Sequence, residues 1–444
     1  MAGVPLARTG SLGRGYGMLV CSANWLLPDG SLSRPVAGAE MTTFLRDIAA
    51  LAGRAGFRRD GSYRPIARVD LVFAGDMLDL LSSDRWTEDV RPWDGTRVSA
   101  EIMATIAADC LRRGRRAIAA LRGLQHRGLS VPVATPRRRP CERHRCRVPV
   151  RVVVVTGDRD ERGFASAGVP AAMPNLPWPP AVATRWGDDV DVLVSHGHEF
   201  DPATCCDAAA ARPPSVSESL AIGLIGRFVR CLRPSAHFPW AELLARDTAR
   251  CHPLELLSVV AARITRQEAS ARHMTILRAN WKQSIRAWHR DARRAPPRVR
   301  EGQGDVTDCL AGWLDGWRPG DAPPAPPPHL QRALAFDRVA ARAHAIRGAA
   351  QITLLGHLPA EHTPASPPAT QAPVVLGLGG AGGNSAAEFA TAGLPWAAVF
   401  EQGEYGGVAH TSSWSVAHAA ASGYAPLIVG GQGGGNVVDV LQAA

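Results

Sequence analysis

Short apolar, β-branched runs recur along the chain, and Gly, Asp or His follows most of them directly. They are Met18 to Cys21, Val69 to Ala74, Val152 to Thr156, Val190 to Ser195 and Ile352 to Leu355. Continuous apolar runs of this length read as strands buried on both faces, with functional loops leaving their C-terminal ends. A helical period fills Met41 to Ala55 between the first two runs, and another fills Ser99 to Leu124 between the second and third. Strand, helix, strand in that order implies crossover connections and a largely parallel sheet. From Ser217 to about Arg294 the period is helical with no strand runs, as in Leu220, Leu224 and Phe228 and again in Leu243 to Val260. That stretch reads as a helical insertion or cap. A Pro-rich connector follows, Arg318 to Pro328, then a further helical pattern, Leu330 to Ala345, and a loop, Pro364 to Pro373. The expected organisation is an α/β domain in two parts, 1–216 and 329–444, interrupted by a helical insertion and connector at 217–328.

Composition narrows the class. At 444 residues, with 46% hydrophobic and 20% charged, the chain can bury a large core, and its apolar runs are too short to cross a bilayer. No apolar stretch precedes a small-residue cleavage site near the N-terminus, so a soluble, cytoplasmic protein is expected. A net charge of +10 would ordinarily suggest nucleic acid or an anionic membrane surface. Lys282 is the only lysine, however, and the arginine excess with heavy Ala, Gly and Pro usage fits a GC-biased genome as readily as a selected binding surface. No clear nucleic-acid partner follows, and membrane contact would be peripheral. Two arginine clusters, Arg137 to Arg147 and Arg290 to Arg300, read as solvated faces. Nine cysteines without regular spacing do not form a secreted disulfide framework. Cys141, His144 and Cys146 could begin a zinc site with Cys205 and Cys206, but a structural zinc site normally shows two recognisable ligand pairs.

Four strand ends carry the candidate chemistry. Gly75-Asp76-Met77-Leu78-Asp79 follows the second run and Gly157-Asp158-Arg159-Asp160 the third. His196-Gly197-His198 follows the fourth and Gly356-His357 the fifth. As an ordered set these resemble the motifs of the calcineurin-like metallophosphoesterase family, namely Gly-Asp-x-x-Asp, Gly-Asn-His/Arg-Asp, His-Gly and Gly-His-x-His. The resemblance spans about Met18 to Pro364. It implies a sandwich of two central β-sheets flanked by helices, and hydrolysis of a phosphate ester or pyrophosphate by metal-activated hydroxide. It assigns Asp76, Asp158, His196 and His357 to one divalent ion (Mn, Fe or Zn), and Arg159 and His198 to a phosphorylated small molecule or nucleotide-type substrate. Asp158 stands where the family usually has Asn, which keeps an oxygen donor and adds negative charge. An Arg at position 159 is normal in the branch that includes the lipid A pathway pyrophosphatase acting on UDP-diacylglucosamine. It can clamp phosphate but cannot serve as a general acid.

Departures from the pattern fall on the other metal. Where the family opens with Asp-x-His, this chain has Ala23-Asn24-Trp25, and Pro359 replaces the final His. A second ion is therefore expected to bind weakly or not at all, unless Asn24, Asp29 or His362 supplies a ligand. Loss of catalysis with retention of the fold, giving a binding or scaffold protein, is the alternative. A Gly-rich stretch, Gly377 to Gly383, superficially resembles a dinucleotide-binding loop, but its glycine spacing is loose and it reads as a plain loop. His410-Thr411-Ser412-Ser413-Trp414 is similar to the Asn-Thr-Gly-Ser-Trp-like turn that follows the family's last His motif.

Overall fold

The structure is a computed structural model of the chain. It describes residues 7–8, 17–22, 27–32, 38–57, 61–86, 89–166, 181–186, 190–200, 214–233, 238, 240–241, 243–244, 247, 256–267, 270–293, 317–319, 321, 352–359, 374–379, 397–401, 408–411, 413–414 and 427–430. The Pro-rich connector after Asp321, the Leu330 to Ala345 pattern and the Pro364 to Pro373 loop lie outside the described residues.

The strands are β1 (Ala7–Arg8), β2 (Gly17–Ser22), β3 (Leu27–Pro28), β4 (Arg68–Ala74), β5 (Leu78–Asp79), β6 (Leu129–Ala134), β7 (Pro140–Val148) and β8 (Val150–Val155) in the first part. They continue as β9 (Ala181–Trp186), β10 (Val190–Ser195), β11 (Ile352–Pro359), β12 (Val374–Gly379), β13 (Ala397–Glu401), β14 (Val408–Thr411), β15 (Ser413–Trp414) and β16 (Leu427–Gly430). Two five-stranded sheets result, ordered β15-β13-β2-β4-β8 and β1-β9-β10-β11-β12. Each holds a parallel trio, β2-β4-β8 in one and β10-β11-β12 in the other, flanked by an antiparallel partner, β13 or β9. The sheets are mixed rather than largely parallel as the strand and helix order alone suggested, and the two are in contact, with β10 and β11 against β4 and β12 against β2.

Helices α1 (Gly38–Ala55), α2 (Arg97–Arg113) and α3 (Arg115–Arg127) cover the first sheet. Val69, Leu71 and Phe73 of β4 and Val152 and Val154 of β8 join Phe44, Ile48, Ile106 and Leu121 of these helices in one apolar cluster. The intervening residues Val72, Ala74, Val153 and Val155 are buried as well. Because successive side chains point to opposite faces, burial of both sets explains why these strands read as near-continuous apolar runs, interrupted only by Asp70 in β4 and Arg151 in β8. The Ser99 to Leu124 pattern is two helices rather than one. They meet at Gly114, where a Cβ would lie 2.6 Å from Leu27 Cδ1.

After Ser215 the chain forms α5 (Val216–Ser219), a wider π turn (Leu220–Ile225) and α6 (Gly226–Leu232), then α7 (Leu256–Arg266) and α8 (Ala271–Arg293). These helices share a second core built around Phe228, Trp281 and Trp288, with the Phe228 and Trp281 rings edge to face at 5.0 Å. Leu32 joins that core and Ile222 joins the first, so the insertion is seated on the α/β body. None of the described helices is long and apolar enough to cross a membrane.

Candidate metal centre

Three motif loops leave β4, β8 and β10 at their C-terminal ends, two from one sheet and one from the other, while the fourth motif, Gly356-His357, lies within β11 of the second sheet rather than after it. After β4 the chain reverses through Gly75 (φ 95°) and Asp76 (φ 54°), two successive residues in the left-handed region. Gly tolerates this freely, whereas Asp pays a modest strain. Three motif glycines are required by close approach. A Cβ on Gly75 would overlap the His196 ring, one on Gly157 would overlap the Asp76 carboxylate, and one on Gly356 would overlap the Ala74 carbonyl oxygen. The glycines therefore let the loops after β4, β8 and β10 close on one point, with β11 packed against Ala74 beside it.

At that point Asp76, Asp158 and His196 each present a ligand atom, and these atoms all lie within 4.8 Å of one another. His196 is fully buried, and both aspartates are 4% exposed. The His196 Nδ1–H donates to the Ala74 carbonyl oxygen at 2.9 Å, an acceptor that fixes which ring nitrogen carries the proton. Nε2 is thereby directed at Asp158 Oδ1, 2.8 Å away, and Asp76 Oδ2, 3.4 Å away. This backbone-anchored imidazole is the arrangement that metal-ligating histidines adopt. Burial alone would lower the His196 pKa, but the Asp76 charge, the Asp158 hydrogen bond and the Asp158 charge outweigh it and push it up to about 10. A proton on Nε2 thus takes the place a cation would fill. Two carboxylate oxygens and one imidazole nitrogen suit a hard or borderline divalent ion.

The supporting residues are just as ordered. Asp160, fully buried, accepts from the Gly157 N–H at 2.6 Å and the Met77 N–H at 3.0 Å, tying the loop after β8 to the loop after β4. Burial first, then the Asp76 charge, push its pKa up to about 8. The Arg159 N–H donates to Asp76 Oδ1 at 3.2 Å, while its side chain pairs with Asp79 Oδ1 at 3.4 Å (from Nη1) and faces Asp76 Oδ2 at 3.9 Å (from Nε). His198 opens a short 3-10 turn. Its ring lies 5.3 Å from that of His196, and its Nε2 lies 3.6 Å from Glu161 Oε2. Asp29 is engaged elsewhere, since both of its oxygens accept hydrogen bonds, from Ser31 and Ser83.

No protein-family model matches the chain, and no curated protein or solved structure matches it.

His357 lies on β11, where pairing with β12 shifts register between Leu355 and Pro359. Such irregularities commonly sit beside functional sites. The His357 side chain, like Ala23, Asn24, Trp25 and His362, falls outside the described residues. Among the described residues, the sole group of three or more His, Cys, Asp or Glu placed to hold an ion is Asp76, Asp158 and His196. Cys141 and Cys146 instead pair across the β6–β7 hairpin with Val133 and Val131, and His144 is exposed. Cys205 and Cys206 fall outside the described residues. The Gly-rich stretch begins in β12 rather than in a loop. The Asp160 clamp and the Ala74 carbonyl were not assigned from the sequence. The first hides in an acidic residue beside a motif, and the second is a backbone atom with no residue signature.

Proposed function

We propose that the chain is a metal-dependent phosphoesterase, hydrolysing a phosphate ester or pyrophosphate at a centre held by Asp76, Asp158, His196 and His357. The observation that carries this reading is the buried His196 ring, hydrogen-bonded to Ala74 on one side and aimed at two carboxylates on the other. Contact between two mixed sheets, each lending loops to one site, supports the metallophosphoesterase-like sandwich that the motif order implies. A bound Mn, Fe or Zn ion would supply the nucleophilic hydroxide and neutralise phosphoryl charge. Asp160 holds the two ligand loops in register. Arg159 brings a permanent positive charge to the side of Asp76 and, being unable to give up its proton, orients a phosphoryl oxygen rather than protonating a leaving group. His198, 12% exposed at its side chain, stands at the rim for substrate contact. The substrate is a phosphorylated small molecule or nucleotide.

The test is hydrolysis of bis(p-nitrophenyl) phosphate with added Mn2+. Wild type should turn over, and His196→Ala should lose about a hundredfold or more, since even residues behind the ligands cost roughly 10–100-fold. Equal rates in the two proteins would refute the assignment.

A further inference from the structure

Residues 111–148 hold twelve of the chain's 50 Lys and Arg, all of them arginine, and of its 40 Asp and Glu only Glu142, which leaves 38 basic and 39 acidic residues in the other 406. The net charge of +10 is therefore the property of one stretch, and the rest of the chain is balanced. A GC-biased genome raises arginine throughout a chain but does not strip acids from one segment. All twelve arginines are exposed. They lie at the end of α2, along α3 and on the β6–β7 hairpin, which continues from α3 through Gly128.

Stability does not account for them. Arg115 and Arg116 occupy the first turn of α3, where the helix dipole disfavours cations, and that turn holds no acidic residue. In the hairpin the register slips between Pro132 and Val133, so that Glu142 to His144 bulge from the ladder with Arg143 exposed among them. Arg145 donates to Ser130 Oγ at 2.9 Å and to the Ser130 carbonyl oxygen at 2.8 Å, neutral acceptors that hold the guanidinium and leave its charge in force. Charges on an edge hairpin guard against strand addition. A helix has no such edge, yet α3 carries the same excess.

We infer that this face binds nucleic acid through the phosphate backbone, without reading sequence. The planar guanidinium fork matches phosphate oxygens. Successive phosphates of a strand are about 3.4 Å apart along the axis, whereas α3 is about 20 Å long and β7 about 30 Å, so each element spans several. A lipid surface fits less well. Among the described residues of 111–148 no large apolar side chain is exposed, so nothing there enters an acyl layer as membrane-surface helices do. The hairpin meets β8 at its N-terminal end, a strand's length or about 20 Å from the ligand loop that follows Val155. The face is thus separate from the metal centre, and the inference stands or falls without it.

The test is fluorescence anisotropy of a labelled mixed-sequence oligonucleotide, single-stranded and annealed to its complement, titrated with the full chain over a salt series. A chelator is present, so that no phosphate is held through a metal ion. Wild type should bind, with log affinity falling against log salt at a slope of about −4 or steeper, as neutralising roughly five or more phosphates requires. Replacing Arg115, Arg116, Arg137 and Arg143 together by Gln should weaken binding at least about tenfold and flatten the slope by about 3. Replacing Arg272, Lys282, Arg286 and Arg290 of α8 by Gln removes the same charge elsewhere and should leave affinity within about twofold. Equal losses in the two variants would mean diffuse attraction to net charge and overturn the inference. So would a wild type that binds neither oligonucleotide at low salt, or one that sediments with phosphatidylserine vesicles and leaves the oligonucleotide free. Circular dichroism checks that the variants fold. If the first does not, Arg137→Gln with Arg143→Gln, confined to the hairpin, decides in its place with about half the change in slope.

Discussion

At Gly75 and Gly157 the backbone passes so close to His196 and Asp76 that no side chain fits. Gly157→Ala has to displace a ligand carboxylate, while Gly75→Ala must also place a Cβ at φ 95°. Steric overlap and a left-handed backbone each cost on the order of 1–3 kcal/mol, so Gly75→Ala should destabilise by about 2–5 kcal/mol and Gly157→Ala by less. Urea unfolding of the two variants, with Mn2+ titrations alongside, checks the order. A pH prediction also belongs to this scale. His196 is raised from 6.5 to about 10 and Asp160 from 3.8 to about 8. Both raised values mean that the folded, metal-stripped protein binds protons more tightly than the unfolded chain. The contribution of His196 is complete below pH 6.5 and is lost as pH rises towards 10; that of Asp160 is lost between about 4 and 8. Chelated protein should therefore melt at lower temperature at pH 9 than at pH 6. Metal affinity should run the other way, rising about tenfold per pH unit below 10, because each ion displaces the Nε2 proton. Calorimetric melts and Mn2+ titrations at several pH values measure both slopes. Residue types and order made Asp76, Asp158 and His196 legible as a set. Arg159 was legible as a cation but not as the partner of Asp79, since that pairing depends on how the two loops face each other.

Among the elements, α4 (Glu161–Ser166) links the site to the helical insertion. It starts directly after Asp160, and its Arg162 pairs with Glu218 of α5, with side-chain exposures of 8% and 2%. Glu218 also closes a capping box with Ser215. The Ser215 N–H donates to Glu218 Oε2 at 2.7 Å, and the Glu218 N–H donates to Ser215 Oγ at 3.0 Å. One carboxylate thus starts a helix and docks it beside the ligand loop. Glu218→Ala removes the cap and breaks a buried ion pair, and should cost about 3–5 kcal/mol in urea denaturation. Glu218→Gln, which keeps an acceptor for the cap, should cost less. Strands buried on both faces were legible because a short strand with core on each side is apolar at most positions, Asp70 of β4 being accommodated by its ion pair with Arg68. The hairpin of β6 and β7 was not, because Arg143, His144, Arg145 and Arg147 are exposed and the strand reads as a charge cluster. The break at Gly114 was missed for another reason, since the apolar period continues across it while the backbone turns to meet Leu27.

For the whole molecule, the ligands are drawn from both sheets, and the Ala74–His196 hydrogen bond and the Gly356–Ala74 approach join one sheet to the other. The site exists only once the sheets have docked, so an ion bound there stabilises the docked fold. The linkage is about 3 kcal/mol when free ion exceeds Kd roughly a hundredfold. Crossover order could be read from the strand and helix periods, whereas two sheets were expected only from the motif resemblance and not from the periods themselves. Parallel trios look alike in sequence whether they share a sheet or not, and β9, with its antiparallel pairing to β10, carries no distinctive run. The most direct test of the central claim is metal content by elemental analysis of full-length protein purified without chelator, together with Mn2+ titration, for wild type and His196→Ala. The expected result is about one tightly held equivalent and a raised melting temperature for wild type, with both lost in the variant while its far-ultraviolet circular dichroism is unchanged. A wild type that binds no divalent ion, or a His196→Ala variant that binds it as tightly, would contradict the account.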